Sequence, residues 1–272
     1  MLKVHRLGFG YGKTPVLRDV SFEVKRRCLC GLFGPNGSGK TTLFKCCLKF
    51  LDSREGTIEL DGRDVRKLRV REMARRVAYV PQEHKPPFPY LAGEVVLMGR
   101  TPHLGGGFGI RDRDKAAAWD AMELLDISSL AGRPYNQLSG GQRQMVLIAR
   151  SIAQETKLVF LDEPTSALDF NNQMRIWKTL RAITRRGVGV IACSHDPNHV
   201  AWFCDHVIVL HDGRVLAQGP PSAVFSQSLL DEIYQGVCTV ESVNGFPMVL
   251  PRSMGNGRHD VRPVSPVVFR RE

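Results

Sequence analysis

The sequence has no apolar run that approaches the ~18 residues needed for a membrane-spanning helix. Residues 1–6 also lack the apolar segment of a signal peptide. These two absences lead us to expect a protein that stays in the cytoplasm and has no membrane span of its own.

Cysteine is scarce and shows no pairing pattern, with seven residues in a chain of 272. Cys28 and Cys30 are separated by a single residue, and no second pair of cysteine or histidine residues lies nearby. This spacing is poor for zinc, and the odd number argues against a disulfide framework. The pattern favours reduced and mostly buried thiols.

The sequence also lacks a basic block interleaved with aromatic residues. Its net charge is +11, but the lysines and arginines are scattered along the chain. Scattered charge is typical of a solvated, generally basic surface rather than of a nucleic-acid site. We therefore expect no specific nucleic-acid partner. No internal repeat is present, and 272 residues suggest one large domain or two small ones.

One stretch fits the phosphate-binding pattern G-x-x-x-x-G-K-[ST]. It follows a short apolar segment of strand type and precedes a segment of helix type, which is the context that the pattern requires. We predict that Lys40 reaches the β- and γ-phosphates of a nucleotide and that the Thr41 hydroxyl binds Mg²⁺. The stretch, called the phosphate loop below, consists of Gly34, Pro35, Asn36, Gly37, Ser38, Gly39, Lys40, Thr41 and Thr42.

Polar residues follow three further predicted strands. Asp162 and Glu163 come after an apolar strand at 158–161, His195 after a second at 188–193, and Gln82 after a third at 77–80. Because reactive side chains of α/β proteins lie at strand ends, we expect these four near the phosphate loop. Asp162 is predicted to hold Mg²⁺, Glu163 to orient or deprotonate a water, and His195 to contact the γ-phosphate.

A second glycine-containing helix start lies about a hundred residues further along the chain. Ser139, Gly140, Gly141 and Gln142 precede an apolar helix at 144–154, which repeats the anion-site logic of the phosphate loop. Tyr11 lies in a turn between two short strand patterns. It can either stack on a nucleobase or be an ordinary surface tyrosine, and spacing alone leaves both open.

The remaining segments predict an α/β fold. Residues 1–25 alternate as two strands, and 56–61 form a hairpin strand. Residues 83–154 are interpreted as a helical insertion, in which a helix over 112–125 carries Ala116, Trp119, Met122 and Leu125 along one stripe. A hairpin is predicted at 237–250, followed by a flexible tail from Arg252.

Together these motifs resemble the ATP-binding subunit of ABC transporters along residues 1–235. Tyr11 matches the aromatic A-loop, residues 34–42 Walker A, Gln82 the Q-loop and His195 the H-switch. The other matching motifs are the signature at 138–142, Walker B with its glutamate at 158–163 and the D-loop at 166–169.

The resemblance implies a P-loop NTPase (RecA-like) sheet core with an N-terminal antiparallel β subdomain and an inserted helical subdomain at about 83–154. Residues 1–240 would form the ATPase domain and 241–272 a partly flexible extension.

The resemblance also implies how the site works. Tyr11 would stack on the adenine of ATP, and Thr41, Gln82 and Asp162 would hold Mg²⁺. Two copies would pair head to tail, so that Ser139, Gly141 and Gln142 of one copy close over ATP bound at Lys40 and Thr41 of the other. Gly140 and Asp169 would also belong to the nucleotide-binding residues. Glu163, His195, Gln82 and Lys40 would be the catalytic residues.

Two further segments, 96–103 and 219–225, are similar to those of importers of iron–siderophore complexes, haem and cobalamin, and of related molybdate or tungstate importers. The resemblance therefore implies a peripheral subunit on the cytoplasmic face of the cell membrane. It would contact integral-membrane permease subunits through about 83–110 and, through them, a substrate-binding protein. A soluble ABC ATPase acting on ribosomes or DNA, or an exporter subunit, are the alternatives.

Overall fold

The computed structural model describes residues 1–53, 55–82, 89–104, 109–166 and 168–252. Twelve strands are present in these ranges: β1 (Leu2–Tyr11), β2 (Thr14–Val24), β3 (Leu29–Phe33), β4 (Glu55–Leu60), β5 (Arg63–Asp64), β6 (Val77–Val80), β7 (Leu158–Leu161), β8 (Gly189–Ser194), β9 (His206–His211), β10 (Arg214–Gly219), β11 (Cys238–Val243) and β12 (Phe246–Pro251). The α-helices are α1 (Lys40–Cys47), α2 (Val70–Ala74), α3 (Ala92–Leu97), α4 (Asp112–Leu124), α5 (Gly140–Ala153), α6 (Phe170–Arg185), α7 (Pro197–Phe203), α8 (Pro221–Val224) and α9 (Gln227–Tyr234). Short 3-10 helices cover Val65–Lys67, Met98–His103, Ser128–Leu130 and Tyr135–Gln137.

The central sheet has six strands in the order β10-β9-β3-β8-β7-β6. All neighbours are parallel except β10, which pairs antiparallel with β9 at one edge. Every residue of β3, β7 and β8 is buried, as expected for parallel strands that are covered on both faces. The carboxyl ends of β3, β8, β7 and β6 meet at one edge of the sheet, and this edge carries the predicted site residues.

A second sheet, in the order β2-β1-β4-β5, is antiparallel and formed mainly by the N-terminal segment. The helix α1 lies between the two sheets, where Leu43 and Phe44 are buried. The ring of Phe44 meets that of Phe160 on β7 edge to face, with centroids 4.8 Å apart. This packing fixes α1, and with it the phosphate loop, against the central sheet. The predicted α/β core with an N-terminal antiparallel subdomain is confirmed.

Helices α3, α4 and α5 lie between β6 and β7 in the chain and pack on one another. The stripe predicted for α4 was wrong in part, because Ala116 and Trp119 are exposed. The buried face includes Asp114 instead, whose carboxylate accepts a hydrogen bond of 3.2 Å from Nε of the buried Arg100. The buried face is thus the apolar stripe of Ala118, Ala121, Met122 and Leu125, extended at its N-terminal end by the buried ion pair of Asp114.

The chain ends, within the described residues, in the predicted hairpin of β11 and β12. The hairpin packs on α7 and α9, and the proposed boundary after residue 240 falls inside β11. Most of the tail predicted to be flexible, residues 253–272, lies outside the described residues, as do 83–88 and 105–108 of the predicted permease-contact segment. Among the helices that the structure describes, not one is both long and apolar enough to cross a membrane.

Candidate functional site

The phosphate loop joins the buried strand β3 to the first turn of α1. A Cβ on Gly34 would collide with the carbonyl oxygen of Leu210, and Gly39 has a φ of 103°, which favours glycine. The chain can therefore turn sharply out of the sheet and enter the helix at Lys40. The first N–H groups of α1 are left without intrahelical partners, which makes this turn a ready anion site.

Lys40 is folded back over this loop. Its Nζ donates hydrogen bonds to the carbonyl oxygens of Gly34 (2.8 Å) and Pro35 (3.0 Å), and its side chain is only 6% exposed. The Oγ of Ser38 is buried and has no hydrogen-bond partner among the described residues. The loop thus holds both a cation and an unsatisfied hydroxyl at the point where a phosphate would bind.

Three predicted residues converge on the carboxylate of Glu163. Nζ of Lys40 lies 3.9 Å from Oε1, while Nε2 of Gln82 donates to Oε2 at 3.2 Å and Nδ1 of His195 lies 3.3 Å from the same oxygen. Glu163 has a φ of 47°, an unusual value for a residue with a side chain. Its carbonyl oxygen accepts hydrogen bonds from the backbone N–H and the hydroxyl of Ser166, which hold this turn.

A cavity of about 430 Å³ opens over these groups. Its volume is within the range of ligand pockets. It is lined by Val16, Asn36, Gly37, Gly39, Lys40, Thr41, Thr42, Gln82 and Glu163.

Asp162 lies beside the loop and is only 3% exposed. Burial raises the pKa of its carboxyl, and the neighbouring Thr41 hydroxyl partly opposes that rise. Its Oδ1 has no hydrogen-bond partner among the described residues, and Oδ2 is 3.5 Å from the Tyr79 hydroxyl. A buried carboxylate oxygen without a partner, next to a hydroxyl, fits a hard cation such as Mg²⁺.

The described residues contain no cluster of three or more histidine, cysteine, aspartate or glutamate side chains that could hold a metal ion.

Tyr11 ends β1 and is 50% exposed. Its ring meets that of Phe9 edge to face at a centroid distance of 5.1 Å. It does not line the cavity, although Val16, five residues on, does. Half of the side chain remains accessible, and stacking on a base stays a prediction.

The second glycine-containing helix start is placed elsewhere. None of residues 139–142, nor Asp169, is among the cavity's lining residues. Ser139 caps α5 in a reciprocal pair with Gln142, and a Cβ on Gly141 would lie 2.7 Å from Oδ1 of Asn172. Asp169 caps α6 by accepting from the backbone N–H (2.8 Å) and side-chain amide (2.7 Å) of Asn172. The starts of α5 and α6 therefore lie in contact, and Ser139 and Gly140 are exposed.

Sequence reasoning missed two residues near the site. Val16 lines the cavity from β2, and Tyr79 places its hydroxyl near Asp162 from β6. Val16 carries no motif that could have revealed it. Tyr79 is the only polar side chain of a four-residue strand, which was the available signal.

The chain is similar to known ATP-binding proteins of ABC transporters. Residues 17–166 match the ABC transporter family. The chain is 41% identical over 233 residues to the hemin import ATP-binding protein HmuV of Streptomyces coelicolor, covering 86% of this chain and 81% of that one. It is 34% identical over 253 residues to the ferric enterobactin transport ATP-binding protein FepC of Escherichia coli, covering 92% and 93%. A solved ABC transporter of proposed metal-chelate type, in an inward-facing conformation, matches with a TM-score of 0.81 and 29% identity over 92% of this chain and 96% of that one.

Proposed function

Since this chain belongs to the ABC transporter family and is an ATPase of that family, we propose that it powers import of a metal chelate through a separate membrane permease. The observation that carries the chemistry is the convergence of Lys40, Gln82 and His195 on Glu163 at the mouth of the cavity. The names of the relatives, which concern hemin and ferric enterobactin, favour an iron complex or haem as cargo. Cobalamin and molybdate or tungstate complete the proposed substrate class.

In the proposed reaction, a water attacks the γ-phosphorus of ATP, ADP leaves, and inorganic phosphate is released. Lys40 exchanges the loop carbonyls for the β- and γ-phosphates, while the free N–H groups of the phosphate loop bind the remaining oxygens. Glu163 orients the water and takes its proton, and His195 contacts the γ-phosphate. Tyr11 stacks on the adenine.

Thr41, Asp162 and Gln82 are the residues proposed to hold Mg²⁺. When bound, the ion neutralises charge on the phosphates during transfer. The support from this chain is the partnerless Oδ1 of Asp162 beside Thr41.

The placement of residues 139–142 supports a head-to-tail dimer. They and Asp169 lie away from the cavity, and Ser139 and Gly140 are exposed, so they are available to a second copy. We propose that Ser139, Gly140, Gly141 and Gln142 of one copy close over ATP held by the other. Each dimer would then contain two composite ATP sites.

The permease is proposed to contact about 83–110, on the cytoplasmic face of the membrane. In the described part of this segment Leu91, Met98 and Ile110 are exposed apolar side chains. Gln82 precedes the segment directly and contacts Glu163, so movement of the permease surface can reach the site through it. A substrate-binding protein would act on the permease rather than on this chain.

The test is a pull-down of the tagged chain from its native membranes in mild detergent, with partners identified by mass. Recovery of a polytopic membrane protein together with a substrate-binding protein that carries iron, haem or another metal chelate supports the proposal. Recovery of ribosomes or DNA without a membrane protein overturns the transport function while leaving the ATPase assignment intact. Recovery of a membrane protein that exports its cargo overturns the direction.

A further inference from the structure

The segment that carries His195 is connected by hydrogen bonds to the C-terminal hairpin of β11 and β12. His195 follows β8, and its side chain is 53% exposed. Because few neighbours pack against the imidazole, its position depends mainly on the position of the backbone. The backbone N–H of Asp196 donates to the Ser194 hydroxyl at 3.0 Å, which forms a tight turn around His195. The turn then leads directly into α7.

Asn198 joins this turn to the hairpin. Its backbone N–H donates to Oδ1 of Asp196 at 2.8 Å, which caps α7. Its side-chain amide forms two further hydrogen bonds with Val249 on β12, accepting from the backbone N–H at 2.8 Å and donating to the carbonyl oxygen at 3.1 Å. One residue thus connects the helix start behind His195 with a strand fifty residues away in the chain.

A second amide holds the other strand of the hairpin in the same way. Gln227, on α9, accepts from the backbone N–H of Val240 and donates to the carbonyl oxygen of Cys238, both at 3.0 Å. Val240 and Val249 are register partners, so both amides act on the same rung of the hairpin. Unlike Gln227, Asn198 is part of the helix that follows His195.

We propose that Asn198 is a positioning residue for His195, which fixes the imidazole relative to Glu163 by tying the start of α7 to the hairpin. The inference rests on the proposed function, because it takes His195 to act in ATP hydrolysis. It assigns to the hairpin a role in catalysis, although no residue of the hairpin touches the site. Loss of the amide clamp lets the turn at residues 194–196 shift and weakens the contact between His195 and Glu163.

The experiment compares Asn198→Ala with Gln227→Ala in steady-state ATP hydrolysis by the full chain. We expect Asn198→Ala to lower kcat about tenfold with an unchanged KM for ATP, since two net hydrogen bonds are lost at a point that sets catalytic geometry. Gln227→Ala removes the matching clamp on the other strand and is expected to keep kcat within about twofold of the wild type. Equal losses of kcat in Asn198→Ala and Gln227→Ala would mean that the hairpin only stabilises the fold, and this result would overturn the inference.

A double-mutant cycle with His195→Ala gives the decisive readout. If Asn198 acts through His195, adding Asn198→Ala to His195→Ala lowers kcat no further. Full additivity, or an unchanged kcat in Asn198→Ala alone, overturns the positioning role. An unchanged kcat in His195→Ala would overturn the proposed role of His195 itself, so the two failures are distinguishable.

Val249→Pro attacks the same link from the hairpin side, and it decides the question if Asn198→Ala does not fold. The change removes the backbone N–H of Val249, which donates a hydrogen bond to Oδ1 of Asn198. Because this N–H points away from the hairpin ladder, the pairing of β11 with β12 is kept. A loss of kcat like that expected for Asn198→Ala supports the inference, and a wild-type kcat overturns it.

Discussion

Replacement of Glu163 by glutamine tests the centre of the site. The change removes the group proposed to take the proton of the attacking water, but keeps the volume and the oxygen that can accept from Gln82 at 3.2 Å. General-base catalysis contributes roughly 10²- to 10⁴-fold, so we expect hydrolysis of ATP to fall by that order. The fold of the site is expected to persist, because the turn is held through the carbonyl oxygen of Glu163 rather than its side chain.

ATP binding is expected to respond in the opposite direction. The Glu163 carboxylate faces the cavity near Lys40, so it repels a triphosphate placed there. Two like charges ~4 Å apart repel by about 1 kcal/mol in water and about 4 kcal/mol at an effective dielectric constant of 20. We therefore expect Glu163→Gln to bind ATP more tightly than the wild type, by about fivefold for 1 kcal/mol and up to about 700-fold for 4 kcal/mol.

The assays are phosphate release, ATP titration and size-exclusion chromatography with ATP and Mg²⁺. Because Glu163→Gln binds ATP without consuming it, a composite site predicts that the variant accumulates as a dimer. Glu232→Gln, an exposed change of the same charge on α9, is the matched control and is expected to behave as the wild type. Hydrolysis at the wild-type rate would refute the assignment of Glu163, and a variant that binds ATP but stays monomeric would refute the head-to-tail site.

Three further perturbations address the nucleotide, the helical segment and the cap of α6. Tyr11→Ala is expected to weaken ATP binding by about 1–3 kcal/mol whereas Tyr11→Phe retains it; an unchanged affinity in a titration of Tyr11→Ala would show that the ring does not stack. Arg100→Met removes the cation that pairs with the Asp114 carboxylate and is expected to lower the free energy of unfolding in urea titrations. The change also removes the bonds of Arg100 to Glu155 and to the carbonyl oxygen of Ala153. The double variant Arg100→Met with Asp114→Leu should regain part of the lost free energy of unfolding. An equal loss in the single and the double variant would rule out the ion pair as the cause. The pKa of Asp169 is lowered by hydrogen bonds from the backbone N–H and then the side-chain amide of Asn172. Its stabilisation is therefore present above the unfolded carboxyl pKa and is lost as pH falls through the lowered folded pKa. Asp169→Asn keeps a side chain that can cap α6 but does not titrate. The difference in free energy of unfolding between the wild type and Asp169→Asn should therefore change with pH between the folded and unfolded pKa of Asp169. Parallel pH profiles of the two proteins would contradict this prediction.

The sequence was sufficient for the local parts of the site. The phosphate loop, the carboxylates after β7 and the histidine after β8 were predicted because glycine spacing and apolar strand segments are local patterns. The hairpin at the C-terminus was predicted for the same reason. The structure then places Lys40, Gln82, Glu163 and His195 together, as strand ends on one edge of a parallel sheet require.

The errors and omissions have a common origin in contacts between distant segments. The stripe on α4 was wrong in part because two overlapping apolar patterns share Met122 and Leu125, and the packing buries the one with Ala118 and Ala121. The pairing of the buried Asp114 with Arg100 has no local pattern either. The pairing of Asn198 with Val249 has no sequence pattern, since an asparagine near a helix start is ordinarily a local capping residue.

Sequence alone therefore determined which chemical groups this protein has and on which strand or helix end each one lies, because both follow from periodicity, glycine placement and residue type. Only the tertiary structure decided which of these ends meet. The order β3-β8-β7-β6 brings three chain-distant residues to the carboxylate of Glu163, and it leaves residues 139–142 outside the cavity. Strand order depends on how the two sheets and the helices bury their apolar faces together, and that free energy belongs to the whole fold rather than to any segment.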